Sequence, residues 1–252
     1  MSGHSKWATI KRKKGAADAR RGQLFTKLAR EIQVAAREGG GDPESNFRLR
    51  LAVQKARTEN MPQDNIQRAI QRGAGTGGDG AHFEEVMYEG YGPNGVAFIV
   101  QTLTDNRNRT VSEVRSIFTK AGGSLGESGS VAWMFEPRGL IFVEPKPGDD
   151  TDELSLAAID AGAEDVMMEE DQLEVVTAFQ DLKHVQDQLA LQGMQIANAE
   201  TTMVPKTTMT LEEKGVEQTI RLIEKLEELD DVQTVYTNLD LTGAEELIES
   251  MS

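Results

Sequence analysis

The residues best suited to chemistry stand near the start of the chain, where Lys6, Lys11, Arg12, Lys13 and Lys14 surround Trp7 and follow His4. Lysine and arginine neutralise phosphates, and an indole ring can stack on an unpaired base. Trp7 has a second reading, as a core anchor docked on the helices that follow. Another polar set, Asp105-Asn106-Arg107-Asn108-Arg109, lies in a strand-to-helix loop that runs from Thr104 to Thr110. Arginine and asparagine suit phosphates and base edges. In the alternative, Asn108 and Thr110 cap the helix and both arginines pair with nearby acids.

Catalytic constellations are scarce. His4, His82 and His184 are far apart with no metal-ligand spacing, and the chain has no cysteine. No nucleophile elbow and no Walker-type phosphate loop occurs. Gly73-x-Gly75-x-x-Gly78 matches a dinucleotide fingerprint as a string. The pattern around it predicts a preceding helix and a following strand, the reverse of the order that pyrophosphate binding requires, so the glycines read as a linker. The expectation is a chain that is not an enzyme, with no catalytic residues, no metal, no cofactor and no small-molecule substrate.

Charge is distributed unevenly. The 252 residues carry a net charge of -15, yet residues 1–75 hold 16 Lys and Arg against 7 Asp and Glu, a local net of +9. The remainder holds 11 basic against 35 acidic residues, a net of -24. Such asymmetry describes an arm that grips a polyanion, carried on a body that repels one. Hydrophobic residues at 38% and charged residues at 27% are a globular balance. No apolar run approaches the roughly 18 residues of a membrane span, and no signal peptide is evident. The expected location is the cytoplasm, with no membrane partner.

Three helices are expected in the basic segment. The first runs from about Ala17 to Glu38, its apolar residues Leu24, Phe25, Leu28, Ile32, Ala35 and Ala36 at helical spacing. Arg20, Lys27, Arg30 and Arg37 form a stripe on the opposite side, which Arg21 does not join. Asp42-Pro43-Glu44 reads as the opening of the second helix, through a cap and a proline at its first position. The third starts near Pro62 and ends at Gly73, pointing Ile66, Ala69 and Ile70 inward and Arg68 and Arg72 outward. Beyond a glycine-rich stretch the pattern gives strands over Val86–Tyr91 and Val96–Leu103. A helix capped by Thr110 with Glu113 follows, then a strand through Val131, Trp133 and Phe135. Residues 138–204 then read as a β-α-β-β-α-β unit, the ferredoxin-like order. A strand at Lys206–Leu211, a helix at Glu213–Leu229 and a strand at Val232–Leu239 end the chain. The fold class is α+β and multidomain, an N-terminal three-helix bundle followed by two α/β, ferredoxin-like domains, one inserted into the other. The boundaries are 1–78 for the basic helical domain, 79–137 plus 205–252 for the discontinuous middle domain, and 138–204 for the inserted one.

Gly3-His4-Ser5-Lys6-Trp7, Arg21-Gly22 through Lys27-Leu28, and Asn60-Met61-Pro62 with Asp64-Asn65-Ile66 resemble signatures of the YebC family. So do Tyr88-Glu89-Gly90-Tyr91-Gly92-Pro93 and Thr104 through Thr110. The resemblance spans essentially the whole chain. It implies a helical N-terminal domain, two α/β domains around a cleft, and control of gene expression. Family members are described as DNA-binding transcriptional regulators. Others are described as translation factors, among them the mitochondrial translational activator of cytochrome c oxidase subunit I and bacterial forms acting at ribosomes stalled on proline runs. Expected partners are RNA on the ribosome, or DNA, held by the N-terminal domain through His4, Lys6, Trp7, Lys11, Arg12, Lys13, Lys14, Arg20, Arg21, Lys27, Arg30, Arg68 and Arg72. Cations spread over a tail and several helix faces favour shape-based binding of structured RNA. Duplex DNA stands as the alternative, and an adaptor holding a basic protein in the acidic cleft as a third reading.

Overall fold

The computed structural model describes residues 18–76, 82–169, 172–244 and 247. In chain order its elements are α1 (Asp18–Gly39), α2 (Phe47–Thr58), α3 (Gln63–Gly73), β1 (Glu84–Tyr91), β2 (Ala97–Thr104), α4 (Arg107–Lys120) and β3 (Ser124–Leu125). There follow β4 (Phe135–Glu144), α5 (Thr151–Asp160), β5 (Asp165–Glu169), β6 (Gln172–Ala178), α6 (Leu182–Leu191), β7 (Gln195–Pro205), α7 (Glu213–Glu227) and β8 (Val232–Thr237). The described residues pack as two compact units. One draws on Met1–Val34, Asp79–Glu136 and Met203–Ser252, the other on Ala35–Gly78 and Pro137–Thr202.

In the first unit the strands form an antiparallel sheet in the order β3-β1-β2-β8. Alternation along β2 sends Phe98 and Val100 into a core with Val114 and Phe118 of α4, Ile220, Ile223 and Leu226 of α7, and Val235 of β8. The Phe98 and Phe118 rings meet edge to face, 5.6 Å between centroids. Ala97 and Ile99 point to the other face and pack with Val131, Phe135 and Tyr236. Burial on both faces explains why residues 96–100 read as an unbroken apolar run. The β1–β2 turn places Asn94 at φ 62° and Gly95 at φ 82°, a conformation these two residue types tolerate. A side chain at Gly92 would put its Cβ 2.5 Å from the Phe98 ring, so glycine is required by close approach.

In the second unit the sheet order is β5-β6-β4-β7. Counted within that unit's strands it is 2-3-1-4, the ferredoxin-like arrangement read from residues 138–204. Its core gathers Ile141, Val143, Val175, Leu182, Val185 and Leu189, and Phe47 and Leu51 of α2 pack against that cluster.

Several local expectations need correction. Asp42-Pro43-Glu44 does not open α2; it forms a turn in which Asp42 Oδ1 accepts from Glu44 N–H at 3.0 Å. The helix starts at Phe47, capped by Asn46, whose Oδ1 accepts from Leu49 N–H at 3.1 Å. The same buried side chain donates to Ala35 O and Gly40 O, both at 2.8 Å. Asn46 wins because it joins two helices, whereas Asp42 can serve only its own turn. Thr110 does not cap α4; Asn106 does, accepting from Arg109 N–H at 3.1 Å. Val131, Trp133 and Phe135 are not one strand, since Ala132–Met134 forms a 3-10 turn. Glu89 causes it by gathering three backbone N–H groups, Gly129 at 2.7 Å and Val131 and Ala132 at 2.8 Å each. Burial pushes the Glu89 carboxyl up, but these bonds outweigh it and hold it below the usual carboxylate range. Finally, Lys206–Leu211 is no strand and makes a single parallel bridge, Met209 to Leu239.

Asn46→Ala removes the cap and two buried donations, so it should destabilise the chain by about 2–3 kcal/mol, read from the urea midpoint. Asn46→Asp keeps the cap acceptor but turns a carboxylate oxygen toward the Ala35 and Gly40 carbonyls, so it should also destabilise the chain at neutral pH.

Candidate nucleic-acid interface

The N-terminal cluster of His4, Lys6, Trp7, Lys11, Arg12, Lys13 and Lys14 lies outside the described residues. Arg20 lies in α1 and Arg21 is exposed on it. Two members of the α1 stripe, Lys27 and Arg30, make contacts within the first unit, as does the neighbouring Gln23. Lys27 Nζ donates to Glu227 O at 2.7 Å, and Gln23 Nε2 donates to Glu228 O at 2.5 Å. Both satisfy carbonyls that the end of α7 leaves without helical partners. Arg30 Nη1 donates to Asp230 O and to Asp231 Oδ1, each at 2.7 Å, and its guanidinium lies 5.0 Å from the centre of the Phe83 ring.

Asp231 is the hub of the 104–110 loop. Its carboxylate is 5% exposed and also receives Arg109 Nη2 at 2.6 Å and the Thr110 hydroxyl at 2.6 Å on Oδ2. Thr104 shares a hydrogen bond with Thr110 at 2.7 Å and accepts Asn106 N–H at 2.9 Å. Burial pushes the Asp231 carboxyl up; hydrogen bonds from Arg109, Thr110 and Arg30 outweigh it, and the group sits below the usual carboxylate range. The bonds to Asp231 first, and then to Asp105 at 2.8 Å, raise the Arg109 pKa further. The loop therefore divides by role. Arg109 is an internal brace, Asn106 a helix cap, while Arg107 is 67% exposed and only 3.9 Å from Glu84 at its nearest. Asn108 is exposed beside it.

In the second unit, α2 and α3 follow one another across residues 59–62, with Asn60 at φ 58° allowing the sharp turn. Ile66, Ala69 and Ile70 face the core as expected. On the outer side Arg68 and Arg72 are exposed together with Gln63, Gln67 and Gln71, and Arg57 is exposed on α2. Arg68 Nε donates to Asp64 O at 3.2 Å, and its Nη2 to the Asn65 side chain. Arg57 and Arg72 have no ion pair among the described residues. The i, i+4 glutamine series was missed in the sequence, although its spacing alone could have found it. Asp231 was missed for a better reason: its side-chain partners lie 121 to 201 residues away, and nothing nearby separates it from Asp230. Trp133 was also misread; it is 66% exposed, its Nε1 donating to Ser130 O at 3.1 Å. Among the described residues no group of three or more His, Cys, Asp and Glu could hold a metal, and no helix is long and apolar enough to cross a membrane.

Asp231→Asn leaves Arg30 without its counter-ion and should cost about 2–4 kcal/mol at neutral pH. A carboxyl with a lowered folded pKa contributes stability that is full above its unfolded value, about 3.9, and is lost as pH falls through the folded one. The parent's stability should therefore drop more steeply below about pH 4 than that of the variant, measured by urea unfolding across pH.

Comparison with known proteins agrees with this architecture. The TACO1/YebC protein N-terminal domain matches residues 5–76, and the TACO1/YebC second and third domain matches residues 83–239. A probable transcriptional regulatory protein of Roseiflexus castenholzii is 60% identical over 246 residues, covering 96% of each chain. One from Dehalococcoides mccartyi is 60% identical over 240 residues, covering 95% of each. The crystal structure of a conserved hypothetical protein from Aquifex aeolicus superposes with a TM-score of 0.80 at 49% identity, covering 88% of this chain and 91% of that one. The chain belongs to the TACO1/YebC family.

Proposed function

We propose that this chain is a non-enzymatic, nucleic-acid-binding regulator of gene expression, and that its basic helical residues grip structured RNA at the ribosome, where it relieves stalling at proline runs. The observation that carries the binding is the partition of its cations. Lys27 and Arg30 are engaged inside the protein, whereas Arg57, Arg68 and Arg72 face solvent from two successive helices. Exposed guanidinium groups on two successive helices, without an ion pair among the described residues, suit the phosphates of a folded RNA, which is held by shape rather than by base edges. Arg107 adds a cationic tip. It stands in the first turn of α4, which carries no acid of its own, and its nearest carboxylate, Glu84, is 3.9 Å away on the exposed surface, so the positive end of the helix and the guanidinium together favour an incoming anion. The relatives named above as transcriptional regulatory proteins support the regulatory part of this reading.

A second reading has one specific observation in its favour. The α2–turn–α3 arrangement has the connection length of a helix-turn-helix, and α3 exposes arginine and glutamine, the side chains that pair with guanine and adenine in the major groove. Duplex DNA would then be the partner.

R57Q/R68Q/R72Q in the full-length chain should lower the slope of log affinity against log salt by roughly 2.1–2.7, at 0.7–0.9 per phosphate contact, while melting is unchanged. Co-sedimentation of the parent with ribosomes, lost in this variant, supports the RNA reading; a shift of duplex DNA without ribosome binding transfers it to DNA. Arg107→Gln should leave co-sedimentation largely intact and reduce stimulation of synthesis through proline runs in a purified translation system.

A further inference from the structure

Beyond residue 75 the chain has only 11 basic residues against 35 acidic ones, yet four of the 11, Arg107, Arg109, Arg115 and Lys120, lie on α4, whose single acid is Glu113. Arg109 is tied to Asp105 and Asp231. Arg115 and Lys120 are exposed, and neither side chain has an ion-pair or hydrogen-bond partner among the described residues. They flank Ser112, Ser116 and Thr119 on an open stretch of the helix surface. At 100° per residue the three hydroxyls form the middle of the outward face and the two cations its flanks, opposite Val114 and Phe118 in the core. Ser112 and Thr119 donate their protons back to the helix, to Asn108 O at 2.8 Å and Arg115 O at 2.9 Å. The Ser116 hydroxyl has no partner within the described chain and is free to donate.

Taking the nucleic-acid reading above as its basis, we propose that this outer face of α4 is a further phosphate-contacting surface, seating a sugar–phosphate strand between Arg115 and Lys120. An acidic body repels a polyanion everywhere except where its own field is locally reversed, and α4 is where the body's cations concentrate. The side chains between them are short hydroxyls, which leave room for a backbone to approach both cations at once. Arginine supplies a fork to one phosphate and lysine a point charge to the next, while Ser116 adds a neutral donor. The remaining basic residues of the body are mostly paired, as in Arg138 with Glu164, Lys183 with Asp187 and Lys225 with Glu228. Those pairs are the ordinary fate of a cation on an acidic surface, and Arg115 and Lys120 depart from it.

The test uses the full-length protein, a structured RNA hairpin and a random-sequence DNA duplex, with affinity measured over a range of salt. R115Q/K120Q should lower the log–log salt slope by roughly 1.4–1.8, two contacts at 0.7–0.9 each, with an unchanged melting temperature. R115K/K120R, which keeps both charges, should retain the parent slope. A loss on both probes marks a general phosphate contact, and a loss on the hairpin alone identifies RNA as its source. If R115Q/K120Q keeps the parent slope while R57Q/R68Q/R72Q loses it, this surface is refuted and the functional reading stands. If R115K/K120R loses binding as well, charge is not the cause and the surface is refuted. Preferential binding of polyglutamate over both nucleic acids would overturn it in favour of an acidic protein partner. A parent that binds neither probe overturns both proposals together.

Discussion

A single buried carboxylate, Asp231, organises the first unit. Donors from α1, from the end of β2 and from the first turn of α4 converge on it, through Arg30, Thr104, Arg109 and Thr110. Its own backbone carbonyl accepts from Leu103 N–H at 2.8 Å. Burying a carboxylate is costly unless every oxygen is matched, and here two guanidinium groups and the threonine hydroxyls do so. The arrangement fixes the start of β8, the entry to α4 and the line of α1 with one group. It also decides which cations of α1 and of the 104–110 loop are structural.

That division changes what the charge pattern means. A net of +9 over residues 1–75 reads as a uniformly basic arm, yet part of that charge is neutralised within the fold by the acidic body itself. Lys27 and Gln23 complete the carbonyl end of α7, and Arg30 completes Asp231. The acidic body therefore has two effects: it repels polyanions at large, and it engages the inward cations of α1. Among the described residues Arg57, Arg68, Arg72, Arg115 and Lys120 face solvent without an ion pair, and Arg107 is exposed with only Glu84 near it.

The architecture was largely legible because it rests on local periodicity. Helical spacing in α1 and α3, the apolar run of residues 96–100 and the strand–helix alternation of residues 138–204 each point to one structure. The family resemblance rested on short motifs distributed along the chain and agrees with the domain matches. The failures share one cause. Asp42 and Thr110 are good caps by residue type, but Asn46 and Asn106 hold those positions because their neighbours in space favour them. Trp133 looked like a strand residue because Val131 and Phe135 alternate around it, while Glu89, distant in sequence, draws the backbone into a turn. The candidate site was legible as a set of cations and illegible as a partition among them, since pairing with Asp231 or with α7 carbonyls is a long-range event.

The most direct measurement of that partition is arginine modification with a dicarbonyl reagent, read residue by residue by mass spectrometry in the free protein and in its nucleic-acid complex. Arg57, Arg68 and Arg72 should react quickly in the free chain and become protected in the complex, while Arg30 stays slow in both. An Arg30 that reacts as fast as Arg72, or outward arginines that remain fully reactive when nucleic acid is bound, would contradict the account.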